Sequence, residues 1–384
     1  MRICILSDLH CRYQSSSGTP SDSCLISNKA RQPVLQHPVA AFLQAAEKDA
    51  NIKFEILICP GDLGDKADDQ GIMSGWAFLE EIKTKLGAEI LIGIPGNHDI
   101  KSREEDGKAF DFIKTFHEFF PTADSDLNNQ FWEEGYCIVQ HRRSLILLVN
   151  TVHDHVNNSI SQKSNLSLKA IQNIPLQLDK MSESDFDYKI CVMHHHPVKH
   201  SNISNWTDSD SVEKGDNLVA ELQRRNFNIV IHGHKHQPRI LEYNALPILA
   251  AGSFASVANL QNTGINLMFH IVELEEKSKM GKVLSWEYDV VSGWTQKLNK
   301  LFPPVIGFGA SETAEQIAQR ISEYFEANES TKHHLYDDVL KAVPQLQYAI
   351  PDKLIQVDGT LLKQFKIQTV PAFPLKPEIF KLIP

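Results

Sequence analysis

The sequence predicts an α/β protein built on mixed β-sheet, from three observations. Short β-branched runs alternate with segments of helical spacing over most of residues 1–235. Five of these runs stop at clusters of Asp, Asn and His, and beyond Gln237 the pattern changes to short alternating runs that suit antiparallel strands. Open α/β sheets place their sites at the carboxyl ends of strands, so the five clusters are expected to converge on one edge.

The five strand candidates are residues 3–6, 54–59, 90–94, 188–193 and 228–231. Helical spacing covers residues 38–48, 73–86, 107–120, 166–181 and 212–225. Short alternating runs follow at 131–150, 239–243, 246–250, 266–274 and 282–291, so the first 295 residues read as one mixed sheet system with helices on its faces. Residues 11–33, rich in Ser, Gly and Pro, form a candidate rim or lid loop. Past Leu298 the character changes to amphipathic helices at 312–327 and 335–343 and a stretch holding Pro371, Pro374, Pro377 and Pro384. The chain is therefore divided into residues 1–298 and a mainly helical C-terminal appendage, residues 299–384, expected to pack, dock a protein partner or mediate self-association.

With 384 residues and 42% hydrophobic content the chain can form a sizeable core, while a formal charge of −10 argues against a broad grip on duplex nucleic acid. Arg224, Arg225, Lys235 and Arg239 leave room for a local basic groove. The six cysteines show no CxxC spacing, and Cys4, Cys59 and Cys191 fall inside strand candidates, so reduced thiols are expected. A strand candidate begins near Arg2 and no apolar stretch reaches membrane-spanning length, from which no membrane association and a cytoplasmic location are expected.

Each cluster has a chemical use. In Asp8-Leu9-His10 the i, i+2 spacing can point two side chains at one ion. The glycines of Gly61-Asp62-Leu63-Gly64-Asp65 let the backbone turn so that Asp62 can stand between ions. In Gly96-Asn97-His98-Asp99 the amide supplies a neutral oxygen, His98 a titratable proton, and Asp99 a partner to orient an imidazole. His194-His195-His196-Pro197 and Gly233-His234-Lys235-His236 add nitrogen donors. Any one cluster alone could be a turn or a cap. Packing does not explain five in order, each at the end of an apolar run.

This series resembles the calcineurin-like metallophosphoesterases over about residues 1–295. The resemblance implies a four-layered αββα sandwich, two mixed β-sheets flanked by helices, with residues 1–298 as the catalytic domain and two divalent metal ions at the strand ends. It implies that Asp8, His10, Asp62 and His236 hold the first ion and Asp62, Asn97, His194 and His234 the second, with His195 in reserve for His194. Residues 149–153 and 250–254 also resemble bacterial members similar to cyclic-nucleotide phosphodiesterases.

Imidazole, carboxylate and amide donors without thiolate suit Mn, Fe, Zn, Co or Ni, with Mn the expected assay metal. Such an ion can lower the pKa of water from about 15.7 to about 7. The expected reaction is attack of a metal-bridging hydroxide on phosphorus, with His98 protonating the leaving oxygen and Asp99 orienting a neighbouring imidazole. A phosphodiesterase acting on a cyclic or other small nucleotide is the leading expectation. A DNA or RNA nuclease working with a partner, similar to double-strand-break repair enzymes that resemble this series, is a second. A non-catalytic interaction scaffold, as in a retromer subunit of the family, is a third. Loops 11–33, 101–107, 153–165 and 199–216 are expected to choose the substrate, with Arg12, His153, His155 and His200 as candidate contacts.

Overall fold

The computed structural model describes residues 1–13, 23–102, 108–156, 164–199, 210–257, 266–328 and 330–383. His200 and parts of all four proposed rim loops lie outside the described residues. In chain order the elements are β1 (Arg2–Ile5), α1 (Pro38–Lys48), β2 (Ile56–Cys59), α2 (Asp69–Leu86), β3 (Ile90–Gly93), α3 (Asp111–Thr115) and α4 (Ser125–Glu134). There follow β4 (Tyr136–His141), β5 (Ser144–Val149), α5 (Leu168–Asp179), β6 (Tyr188–Val192), α6 (Gly215–Arg224), β7 (Ile229–His232), β8 (Arg239–Tyr243) and β9 (Leu246–Ala250). The last of this part are β10 (Met268–Leu274), β11 (Gly281–Asp289), β12 (Gly293–Thr295) and β13 (Val305–Phe308).

Two large mixed sheets result. The first runs β12-β11-β10-β1-β2-β3, with β13 also pairing β11; β1, β2 and β3 are parallel, and β10 and β11 antiparallel. The second runs β4-β5-β6-β7-β9-β8, parallel from β5 through β9 with an antiparallel strand at each edge.

Side chains alternate faces along a strand, and that period builds the layers. Ile3, Ile5, Ile56, Ile58 and Ile92 of the first sheet meet Ile146, Leu148, Ile190, Val192, Ile229 and Ile231 of the second in one buried cluster. On the opposite faces, Cys4, Leu57 and Leu91 pack under Val39, Phe42, Trp76 and Leu79 of α1 and α2. Leu145, Leu147, Cys191 and Val230 pack under Ala170, Ile174, Val219 and Leu222 of α5 and α6. The product is the four-layered αββα sandwich. Asp68 caps α2 by accepting from Gly71 N at 3.1 Å, and Ser167 caps α5 through Ala170 N at 2.9 Å.

The C-terminal part begins inside the first sheet. β13 extends it, and Phe302, Ile306 and Phe308 join the inter-sheet cluster, while a separate core starts at Ala310. That core holds helices Ala314–Ala327, Tyr336–Ala342 and Pro351–Thr360 around Ile317, Ile321, Phe325 and Val357. It also contains a three-stranded antiparallel sheet of β14 (His333–Leu335), β15 (Ile367–Val370) and β16 (Ile379–Leu382), whose strands are too short to show a period in sequence.

Three other differences from the sequence reading have physical reasons. The helix expected over 107–120 is reduced to α3, because Phe116 and Phe120 are drawn onto Trp76, with ring centroids 6.4 and 5.3 Å away. α4 was hidden by sparse apolar spacing; Asp124 starts it and Gly135, at φ 83°, ends it. The five strands that end in polar clusters do not share one edge, since β1, β2 and β3 belong to one sheet and β6 and β7 to the other. Among the described residues no helix is long and apolar enough to cross a membrane, and all six cysteines are free.

His270 of β10 is wholly buried, with Nδ1 2.7 Å from Ser285 Oγ and Nε2 accepting from Gly252 N at 3.0 Å; burial pushes its pKa down to about 3. Below its ordinary pKa of about 6.5 the unfolded chain takes a proton that the fold refuses, so stability is lost as the pH is lowered, by up to about 1.4 kcal/mol per unit. His270→Gln keeps an acceptor without titrating. Urea unfolding is expected to show a shallower loss of stability between pH 6.5 and 4.5 in this variant than in the parent; equal slopes would refute the assignment.

Candidate metal centre

Past the end of β1 the chain stays alongside the chain leaving β2: Asp8 N donates to Gly61 O at 3.1 Å, His10 N to Asp62 O at 2.9 Å, and Cys11 N to Leu63 O at 2.8 Å. Along these turns Asp8, His10 and Asp62 take φ of 53°, 44° and 56°, and His234 and His236 after β7 take 74° and 54°. Left-handed backbone in non-glycine residues costs on the order of 1–3 kcal/mol each and concentrates at functional sites. Glycine makes the close approaches. A Cβ on Gly61 would lie 2.2 Å from His194 Nδ1, and one on Gly96 would lie 2.1 Å from Asp62 Oδ1 and 2.5 Å from Asp62 N.

All seven metal-ligand candidates from the sequence come together. Asp62 Oδ2 is 3.4 Å from His10 Nε2 and 3.4 Å from His194 Nε2, while Oδ1 accepts the His98 backbone N–H at 2.8 Å. Around one end, donor atoms of Asp8, His10, Asp62 and His236 lie within 4.8 Å of one another. Here His10 Nε2 and His236 Nε2 are 3.0 Å apart, and His236 Nε2 is 3.4 Å from Asp8 Oδ1. Around the other end, Asn97 Oδ1 is 3.1 Å from His194 Nε2 and 2.9 Å from His234 Nδ1.

His195 also has a nitrogen within 4.8 Å of donors on His194 and His234, but its Nδ1 is 2.9 Å from Thr151 Oγ1. Of the two, His194 is the one for which the structure records contact with both Asp62 and Asn97. His98 lies edge-on to His10 with centroids 4.6 Å apart, and a third of its side chain is exposed.

Asp99 departs from its expected role. Its buried carboxylate accepts backbone N–H groups from Leu63 at 3.2 Å, Gly64 at 2.8 Å and Gly96 at 2.8 Å. Those amides would otherwise be orphaned by the tight turns, so Asp99 clamps the two loops together rather than turning an imidazole. Asp65 stands nearer to that task, its Oδ1 3.5 Å from both His10 Nδ1 and His98 Nδ1. It was visible in the Gly61–Asp65 cluster but had no role there. Asp210 Oδ2, 3.2 Å from His234 Nε2, and Ser253, whose hydroxyl donates to Asp8 O at 2.8 Å, were missed. Ser253 and Thr151 sit within the residue runs 250–254 and 149–153. His155 is buried behind His195, centroids 5.5 Å apart, and His153 lines a separate cleft with Asn165 and Lys169, so neither faces the centre.

Without a cation the charges are shared between acids and imidazoles. Burial alone would raise the Asp62 carboxyl, but His194, His98 and His10 hold it well below its ordinary range. Burial lowers His194, yet Asp62 and Asp8 overcome this and raise it to about 9. Burial, with Asp62 close by, raises Asp99 to about 7 despite its amide donors. Burial takes His234 down to about 4. A buried and a partly buried imidazole nitrogen facing each other at 3.0 Å need a proton or a cation between them. Two carboxylates, one amide oxygen and four imidazoles form a donor set that borderline divalent ions favour. The residues fit a dinuclear divalent centre.

A family model described as calcineurin-like phosphoesterase matches residues 1–238. No curated protein matches the sequence. Among solved structures, a purple acid phosphatase from yellow lupin (Lupinus luteus) seeds is 14% identical over 76% of this chain, with TM-score 0.48, and this chain spans 52% of its length. A dimetal phosphatase from Danio rerio is 11% identical over 75% of this chain and 99% of its own, with TM-score 0.46. A Vps29 from Entamoeba histolytica is 12% identical over 77% of this chain and 96% of its own, with TM-score 0.34.

Two outcomes follow from the geometry. Gly96→Ala changes no donor yet displaces Asp62, so divalent metal content measured by elemental analysis is expected to fall several-fold; full retention would contradict the role of this contact. His194 carries a proton in the metal-free protein below pH about 9, and a ligand nitrogen must lose it. Metal affinity should therefore rise with pH from 7 toward 9, with proton release seen by calorimetry in buffers of different ionisation enthalpy. An affinity independent of pH would contradict this.

Proposed function

We propose a function from one premise: this chain belongs to the calcineurin-like phosphoesterase family. It is a metal-dependent phosphoric ester hydrolase. We read it further as a phosphodiesterase of cyclic or other small nucleotides, in which Asp8, His10, Asp62 and His236 hold one divalent ion and Asp62, Asn97, His194 and His234 the other. The observation that carries the reading is the position of Asp62, whose Oδ2 stands 3.4 Å from imidazoles of both groups.

When bound, such a pair of ions supplies positive charge for phosphate oxygens and acidifies water. The chain's own residues do the rest. Asp8 and Asp62 bring two negative charges, and the amide of Asn97 adds a donor without adding a third. His98 Nδ1 faces Asp65 Oδ1 at 3.5 Å and Lys66 N at 3.4 Å, which leaves Nε2 for the leaving oxygen. In the metal-free protein burial lowers the pKa of His98, but Asp62, Asp65 and Asp99 raise it more.

A cavity of about 1310 Å3 between β8 and segment 309–315 contains none of these residues, so it is not the site of phosphoryl chemistry. The complete donor set argues against a scaffold without chemistry. Mn is the metal for a first assay. Six free cysteines suit a reducing compartment such as the cytoplasm. Residues 299–384 serve in this reading as a packing, partner-docking or self-association segment, supported by the separate core that starts at Ala310 and by Leu335 and Val370, which are 59% and 38% exposed.

With Mn and bis-p-nitrophenyl phosphate, His98→Ala is expected to keep two ions and lose about 10²- to 10⁴-fold in kcat. Asp62→Ala is expected to lose both metal and activity. Unchanged turnover in His98→Ala would remove His98 from the mechanism. A panel of cyclic mono- and dinucleotides, nucleoside monophosphates and single- and double-stranded DNA and RNA tests the substrate. Hydrolysis of cyclic nucleotides is expected; cleavage of nucleic acid alone, with binding that weakens steeply in salt, would replace this reading by a nuclease.

A further inference from the structure

We infer that Asp210 is a positioning residue for the second metal ion and ties that ion's affinity to two rim segments; this rests on the dinuclear reading above. His234 turns Nδ1 toward Asn97 Oδ1 at 2.9 Å, and its other nitrogen, Nε2, is 3.2 Å from Asp210 Oδ2. A ring that ligates through Nδ1 carries its hydrogen on Nε2 and donates it to the carboxylate. Asp210 thereby fixes both tautomer and ring orientation, and its charge makes the ligating nitrogen a better donor.

The same Oδ2 accepts from Lys235 Nζ at 2.8 Å, so one carboxylate steadies two successive residues of the turn after β7. Asp210 is itself fixed from outside the centre. Its backbone carbonyl accepts from Ser164 Oγ at 2.7 Å, Glu213 N donates to Ser164 O at 2.9 Å, and Asn165 and Glu213 form a parallel bridge. Val212 N donates to His196 O at 3.0 Å, closing the clasp on the turn after β6 that carries His194. The other second-ion imidazole is steadied differently: His194 Nδ1 donates to Pro60 O at 2.9 Å, a backbone acceptor directly after β2.

The test titrates chelator-treated, full-length protein with Mn by calorimetry, resolving two sites. Asp210→Ala is expected to weaken one of the two sites about 10- to 100-fold and leave the other unchanged. Asp210→Asn keeps an acceptor oxygen without the charge and should recover part of that loss. Ser164→Ala should shift the same site by less. Equal melting temperatures of the metal-free variants would separate positioning from folding, and Asp210→Asn carries the test where the alanine variant melts. Two sites of parental affinity in Asp210→Ala would overturn the inference while leaving the dinuclear reading intact. A parent protein that takes up fewer than two ions would overturn both.

Discussion

One carboxylate faces imidazoles supplied by two different sheets, and most of the fold answers to that requirement. Asp62 follows a strand of the first sheet, flanked by His10 from the neighbouring strand end and by His194 from the second sheet. The apolar layer of Ile3, Ile58, Ile190 and Ile231 sets the spacing between the sheets and so between those side chains. Glycine at 61 and 96 lets the loops close to contact, and Asp99 pins them with three amide hydrogen bonds. The left-handed backbone of Asp8, His10, Asp62, His234 and His236 is held against its conformational cost by this surrounding packing.

The strands were legible because their sequence signals are local. Runs such as Ile56–Cys59 and Ile229–His232 are buried on both faces, and continuous apolar stretches bounded by Gly and Pro announce that directly. The polar residues directly after them were legible for the same reason. What the sequence could not show was relation: which strands share a sheet, which loop touches which, and where a carboxylate points once three amides surround it. On that ground Asp65, to which the sequence assigned no role, stands beside the imidazoles of His10 and His98, and Asp99 takes backbone amides instead. Asp210 lies 24 residues before the imidazole it contacts, in a stretch without periodicity, and no local pattern marks it. The sequence favoured His194 over His195 as the residue directly after the strand, and the contact of His194 Nε2 with Asn97 Oδ1 at 3.1 Å agrees with that preference.

In the proposed assignment the two halves of the centre are built unequally. One group has Asp8 and the shared Asp62 with two imidazoles, whereas the other shares Asp62 and completes its set with the neutral donors Asn97, His194 and His234. Fewer negative charges mean that the second half depends more on how well its neutral ligands are aimed, through Pro60 and Asp210.

Asp62 is proposed to join two ions into one unit. Electron paramagnetic resonance of the protein loaded with two equivalents of Mn addresses it directly. A spin-coupled dinuclear spectrum is expected, since a bridging carboxylate brings the ions within exchange distance. Two independent mononuclear Mn signals at full loading would contradict it.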